Sequence, residues 1–135
     1  MEHEHNTAHF AEIDSDNVVL RVLAVRNEDI LDAKGNEDES IGIAFLQELF
    51  GSNWVQTSYN GNFRNQYGSQ GCTYDNVNDV FISEKPFPDF ILDENYTWIA
   101  PTNPPNDGNH YLWSGELSDW EQIPTKDLPP ALRDT

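Results

Sequence analysis

His3, His5 and His9, interleaved with Glu2, Glu4 and Glu12, are the donor types from which a transition-metal site is built. The first two histidines fall in a terminal segment, and no second cluster supplies the rest of a rigid coordination sphere, so no metal is expected. Asp14-Ser15-Asp16-Asn17 and Asp75-Asn76-Val77-Asn78-Asp79 offer oxygen donors of the kind calcium takes. Neither run has the glycine at the sixth place and the glutamate at the twelfth that shape a helix-loop-helix calcium loop, and hairpin turns account for both. Cys72 with His110 has the types of a nucleophile and its base, but nothing local marks either as activated, and a buried strand cysteine is the simpler reading. Carboxylate pairs such as Asp93 with Glu94, or Glu116 with Asp119, are the groups of glycoside hydrolysis. With 24 acidic residues in 135, such pairs arise by chance and turns attract them. No enzymatic activity and no cofactor is expected.

A different chemistry is written between residues 54 and 67, where Trp54, Tyr59, Phe63 and Tyr67 alternate with amides around Asn60-Gly61. Asn-Gly tolerates positive φ and so marks a turn, which the four rings have enough apolar area to lock onto a core. Arg64, one of only 7 basic residues, lies inside this turn. Its guanidinium is expected to stack on Tyr59 or Tyr67, fork onto a carboxylate or hold backbone carbonyls, fixing the loop without a ligand. Trp54, Asn60, Asn62 and Gln66 also combine a flat ring with amides, the chemistry of a sugar site; the same residues suit a dry structural turn.

Further along, Phe87, Trp98, Tyr111, Trp113 and Trp120 crowd a stretch whose short strands offer little interior. Each Trp or Phe buries on the order of 150–250 Å² when covered. Two readings are open: these rings anchor a partner protein, or they form a minicore between neighbouring hairpins.

Periodicity defines the elements that must carry these residues. Residues 9–13 and 18–25 are β-rich runs around a polar turn and predict an N-terminal hairpin. The second run is apolar on both faces, which predicts a central strand. Ile41, Phe45, Leu46, Leu49 and Phe50 repeat at helical spacing behind Ser40 as N-cap and before Gly51 as C-terminal stop, predicting a helix over 41–50. Three antiparallel hairpins come next: 72–74 with 80–82, 90–92 with 96–99, and 111–113 with 119–122. The predicted fold class is α+β, mainly β: an N-terminal β-hairpin packed with one short helix, then successive antiparallel hairpins. The expected division is a flexible tail over 1–7, a compact domain over 8–100, a Pro-rich linker or arm over 101–109, a C-terminal hairpin over 110–123 and a tail over 124–135.

A formal charge of −17 repels phosphate backbones and anionic lipid, so neither nucleic acid nor membrane is an expected partner. No apolar run approaches the roughly 20 residues of a membrane-spanning helix. The first residues lack the basic and apolar regions of a secretion signal, and a single cysteine excludes an internal disulfide, so synthesis in a reducing cytoplasm is expected.

The wording of the chain resembles a family of small virion-associated proteins of marine tailed bacteriophages, of the cyanophage and pelagiphage type. The resemblance rests on Ala8-His9-Phe10-Ala11, on Trp54 and Gln56-Thr57-Ser58-Tyr59-Asn60-Gly61 with Phe63-Arg64, and on Gly71-Cys72-Thr73-Tyr74-Asp75. Phe81-Ile82, Lys85-Pro86-Phe87-Pro88, Leu92-Asp93-Glu94, Trp98, Ala100-Pro101, Tyr111 and Trp113 extend it over residues 8–123. It implies a non-enzymatic structural protein of the particle exterior, foremost a capsid decoration or cement protein bound to the major capsid protein or other virion proteins, with self-association as a further route. A tail, fibre or baseplate component, including a host-surface glycan binder, is the alternative, and a small intracellular modulator of host proteins is a third class. No catalytic residue or cofactor carries over, and residues 1–7 and 124–135 lie outside the likeness.

Overall fold

The structure, a computed structural model, describes residues 7–133. It is α+β and mainly β, and its contacts fall into two units that divide between Glu84 and Lys85.

In the first unit, β1 (Thr7–Ile13) and β2 (Val19–Arg26) form the expected hairpin. A third strand, β3 (Asn53–Thr57), pairs antiparallel with the other edge of β1, so the sheet order is β2-β1-β3. The central strand is therefore β1 and not the expected second run. The physical reason is that β1 buries both of its faces, whereas β2 keeps Leu20 and Arg21 exposed. Alternation sends Ala8 and Phe10 to one side, where they meet Val25, Ile30, Leu46 and Trp54. Ala11 and Ile13 point the other way and pack with Val19, Val55, Cys72 and Phe81.

The helix α1 (Glu39–Phe50) covers the first face. Its N-cap is Asp38, not Ser40: the Asp38 carboxylate accepts from the Ser40 backbone N–H at 2.9 Å and from the Ser40 hydroxyl at 2.6 Å. Gly51, at φ 71°, ends the helix by donating its N–H to the Gln47 carbonyl. Leu46 is buried as the periodicity demands, but Phe45, Leu49 and Phe50 are exposed. Gly42 decides this orientation. It lies so close to the Phe10 ring that any Cβ there would overlap it, so the glycine turn faces the sheet and the large side chains rotate outward. The opposite face of the sheet is covered by residues 58–72 and by the hairpin of β4 (Thr73–Asp75) and β5 (Val80–Ile82), with Gly68 set against the Phe81 ring in the same manner.

One turn design recurs and explains many of the carboxylates. Asp14, Asp32 and Asp93 each accept two backbone N–H groups through one oxygen, from Asp16 and Val18, Lys34 and Asn36, and Asn95 and Thr97, all at 2.8–2.9 Å. The fourth residue of each turn, Asn17, Gly35 or Tyr96, adopts positive φ. Asp75 accepts likewise from Val77 and Asn78.

The second unit contains two hairpins, β6 (Ile91–Leu92) with β7 (Trp98–Ile99) and β8 (Tyr111–Ser114) with β9 (Asp119–Gln122). By contacts, the described residues from Lys85 onward fall in one unit. Phe90 packs edge-on to Trp113, Trp113 to Trp120, and the Trp120 indole N–H donates to the Thr102 carbonyl at 2.9 Å, tying residues 85–100 to the 101–122 stretch. The segment after β9 is folded rather than a plain tail: a 3-10 helix (Thr125–Asp127) precedes α2 (Pro130–Arg133), Leu128 is buried, and the Arg133 guanidinium donates to the Leu128 carbonyl. Among the described residues no helix is long and apolar enough to cross a membrane.

Candidate functional site

Arg64 is the knot of the first unit. Its Nη1 and Nη2 fork onto the Glu39 carboxylate at 2.7 and 3.1 Å, Nη1 also donates to the Gln56 carbonyl at 2.8 Å, and Nε donates to Asp79 at 2.7 Å. The Gln56 N–H in turn donates to Glu39, and the Arg64 carbonyl accepts from the Phe81 N–H. One side chain thus joins the first turn of α1, strand β3 and the β4–β5 hairpin. The expected ring partner, Tyr59 or Tyr67, is replaced by Tyr74, 5.7 Å from the guanidinium carbon. Burial alone would lower the Arg64 pKa, but hydrogen bonds to Glu39 and Asp79 outweigh it and hold the group well above its usual value. The Tyr74 hydroxyl, and after it Arg64, keep Asp79 below the usual carboxylate range. Burial, then the bond to Asp79, pushes the Tyr74 phenol up to about 12.

Arg64 and Asn65 are both in the left-handed region, at φ 57° and 75°, a conformation that costs non-glycine residues energy and persists where the surroundings impose it. The result is a rigid loop. Its entry is fixed by Ser58, whose carbonyl accepts from Gly61 N–H and whose hydroxyl accepts from Asn62 N–H, both at 2.9 Å. Gly61 takes the positive φ of 70° that the Asn-Gly pair announces.

Above this loop opens a cleft of about 290 Å³. Its ring wall is Tyr59, stacked on His9 at 5.3 Å with Tyr67 edge-on, and Phe63 lies on its rim. Gln56, Asn60, Asn62, Asn27 and Glu37 supply its polar lining. Burial lowers the His9 pKa and so favours the neutral imidazole.

Of the residues whose chemistry suggested a sugar site, Asn60 and Asn62 line this cleft and two others do not. Trp54 is buried in the core with its indole N–H donating to the Gly51 carbonyl, and Gln66 turns toward the Cys72 sulfur. His9, Gln56, Asn27 and Glu37 come from four separate places in the chain. Reading residues 53–57 as a strand antiparallel to β1 sets Gln56 opposite Phe10 and Thr57 opposite His9, and this pairing carries Gln56 to the cleft.

Cys72 and four of the aspartates have structural contacts. Cys72 is buried, with its thiol near Ser69, Gln66 and the Tyr67 carbonyl. Asp14, Asp75 and Asp93 cap turns, and Asp119 accepts from the Trp120 N–H. Among the described residues no three His, Cys, Asp or Glu side chains converge as metal ligands. Glu2, His3, Glu4 and His5 lie outside the described residues.

In the second unit Phe87, Trp98, Tyr111, Trp113 and Trp120 are all half-buried. Phe87, Phe90, Trp113 and Trp120 form a chain of ring contacts at 5.1–5.4 Å, Lys85 sits 5.5 Å over Trp98, and the Tyr111 hydroxyl donates to Asp107. The outward side chains are aliphatic instead. Ile91 and Ile99 are a cross-strand pair 53% and 44% exposed, and Leu112 is 64% exposed beside Glu121. No family model matches the chain, and no curated protein or solved structure matches it either.

Proposed function

We propose that this chain is a non-enzymatic structural protein of a tailed-phage virion, bound to the capsid exterior as a decoration or cement protein. The observation that carries the proposal is the build of the second unit. Two hairpins of only two strands each leave open backbone edges, and rings on one side stiffen them while Ile91, Ile99 and Leu112 face outward. An unpaired edge beside an apolar pair is the geometry by which a strand is added from a partner. Phe87, Trp98, Tyr111, Trp113 and Trp120 serve this surface as its backing, which replaces the simpler picture of rings inserted into the partner.

Magnitudes set the mode of attachment. Covering one Ile or Leu contributes about 1.5–3 kcal/mol, and association costs about 4–15 kcal/mol. Ile91, Ile99 and Leu112 are already about half covered, so their burial alone falls short of that cost and backbone hydrogen bonds along the open strand edges must add to it. The acidic surface, at a formal charge of −17, keeps decorated particles apart and favours neutral or basic patches on the capsid.

Co-sedimentation of the purified protein with intact particles tests this. The wild-type chain is expected to pellet with the capsid, and the Ile91→Asp, Ile99→Asp double variant to lose at least about tenfold in affinity through charge buried at the contact. Failure of the wild type to pellet sinks the proposal. Antibody label confined to one vertex instead moves the protein to the tail, the reading that the cleft beside Tyr59 favours.

A further inference from the structure

We propose that the cleft formed by Tyr59, Phe63, Gln56, Asn60 and Asn62 is a binding site for a neutral saccharide, one hexose or N-acetylhexosamine ring in size.

Three observations lead there. The first is the ring wall. Tyr59 is 65% exposed and Phe63 43% exposed, although both sit on a loop held by Ser58 and Arg64. Tyr59 is held by rings on its inner side, His9 and Tyr67, leaving its outer surface open. A pyranose ring has an apolar face of C–H groups that such a surface removes from water.

The second is the state of the amides. Among the described residues the side chains of Gln56, Asn60 and Asn62 make no hydrogen bond within the chain, while the backbone of Gln56, Gly61 and Asn62 is held through Ser58, Glu39 and Arg64. Each amide offers both a carbonyl acceptor and N–H donors, which matches a hydroxyl that must donate and accept at once. The rigidity lowers the cost of ordering them on binding.

The third is charge and size. The lining includes no Lys or Arg, and the only charged side chain in it is Glu37. Phosphate, sulfate and acidic sugars are therefore excluded by repulsion. A volume of about 290 Å³ stands at the small end of the roughly 300–1,000 Å³ span of ligand clefts, room for one ring rather than a long chain.

The inference is independent of where the protein sits on a particle, so its test uses the purified full chain alone. Methyl glucoside, methyl galactoside, methyl mannoside and N-acetylglucosamine are titrated up to about 50 mM, the range in which single-ring ligands of this size bind. The side-chain amide resonances of Gln56, Asn60 and Asn62 are followed by ¹H–¹⁵N spectroscopy. At least one probe is expected to move all three saturably. Tyr59→Ala is expected to weaken that probe about tenfold and Asn60→Ala by about threefold or more, the latter at an exposed position that leaves the fold intact. The proposal is overturned if no probe saturates, if both variants bind as the wild type does, or if tetramethylammonium or N-acetyl-lysine moves these amides and the sugars do not.

Discussion

At the residue scale Arg64 matters most, because it donates four hydrogen bonds to three partners from one position and holds the loop that shapes the cleft. Lysine keeps the charge but supplies one ammonium where the fork to Glu39 and the bond to Gln56 require a planar, multi-pronged donor. Arg64→Lys is expected to cost about 2–3 kcal/mol, the loss of one to two charged hydrogen bonds in a mostly covered site. Urea unfolding followed by tryptophan fluorescence measures it; a loss under about half a kilocalorie shows that the network contributes little. The same substitution is expected to broaden the Asn60 and Asn62 amide resonances, because the loop is released.

At the element scale the packing of α1 is governed by what is absent from Gly42. Alanine is the better helix former by about 1 kcal/mol, yet its methyl would overlap the Phe10 ring. Overpacking of this kind costs about 1–3 kcal/mol. Gly42→Ala is therefore expected to lower the midpoint of thermal unfolding, read by circular dichroism; a rise would mean that the helix is free to slide away from β1.

The same scale shows what the sequence makes legible. The β4–β5 and β8–β9 hairpins lie where alternation and polar turns place them, because short runs such as Tyr111-Leu112-Trp113 have one period and one pair of boundaries. Strand β3 is harder to see: Trp54 and Gln56 alternate with Val55 and Thr57, but the aromatics and amides of residues 59–67 dominate the pattern and signal a turn. Without β3, the β1–β2 hairpin has no visible third strand, β1 is not recognised as central and Gln56 falls outside the cleft. The N-cap lies two residues earlier than periodicity places it because 37–40 is a run of four side-chain acceptors, and only the backbone path selects Asp38.

At the scale of the whole molecule, the chain divides at Glu84 and not at the prolines of 101–109. Proline forbids ladder hydrogen bonds but not burial, and Trp120 uses the carbonyl of Thr102 within that very stretch. Pattern and composition locate strands; they do not say which rings will find one another across a long stretch of chain, as Phe90 and Trp113 do. That is why the half-buried state of the second unit's tryptophans, and the aliphatic face they leave outward, emerge only in three dimensions.

The functional reading rests on the protein belonging to the outside of a particle. Quantitative mass spectrometry of washed particles of the phage proposed to encode the chain asks this directly. A copy number comparable to that of the major capsid protein is expected, falling when intact particles are treated with protease from outside. Absence of the chain from purified particles, or its presence only in the lysate of infected cells, contradicts it.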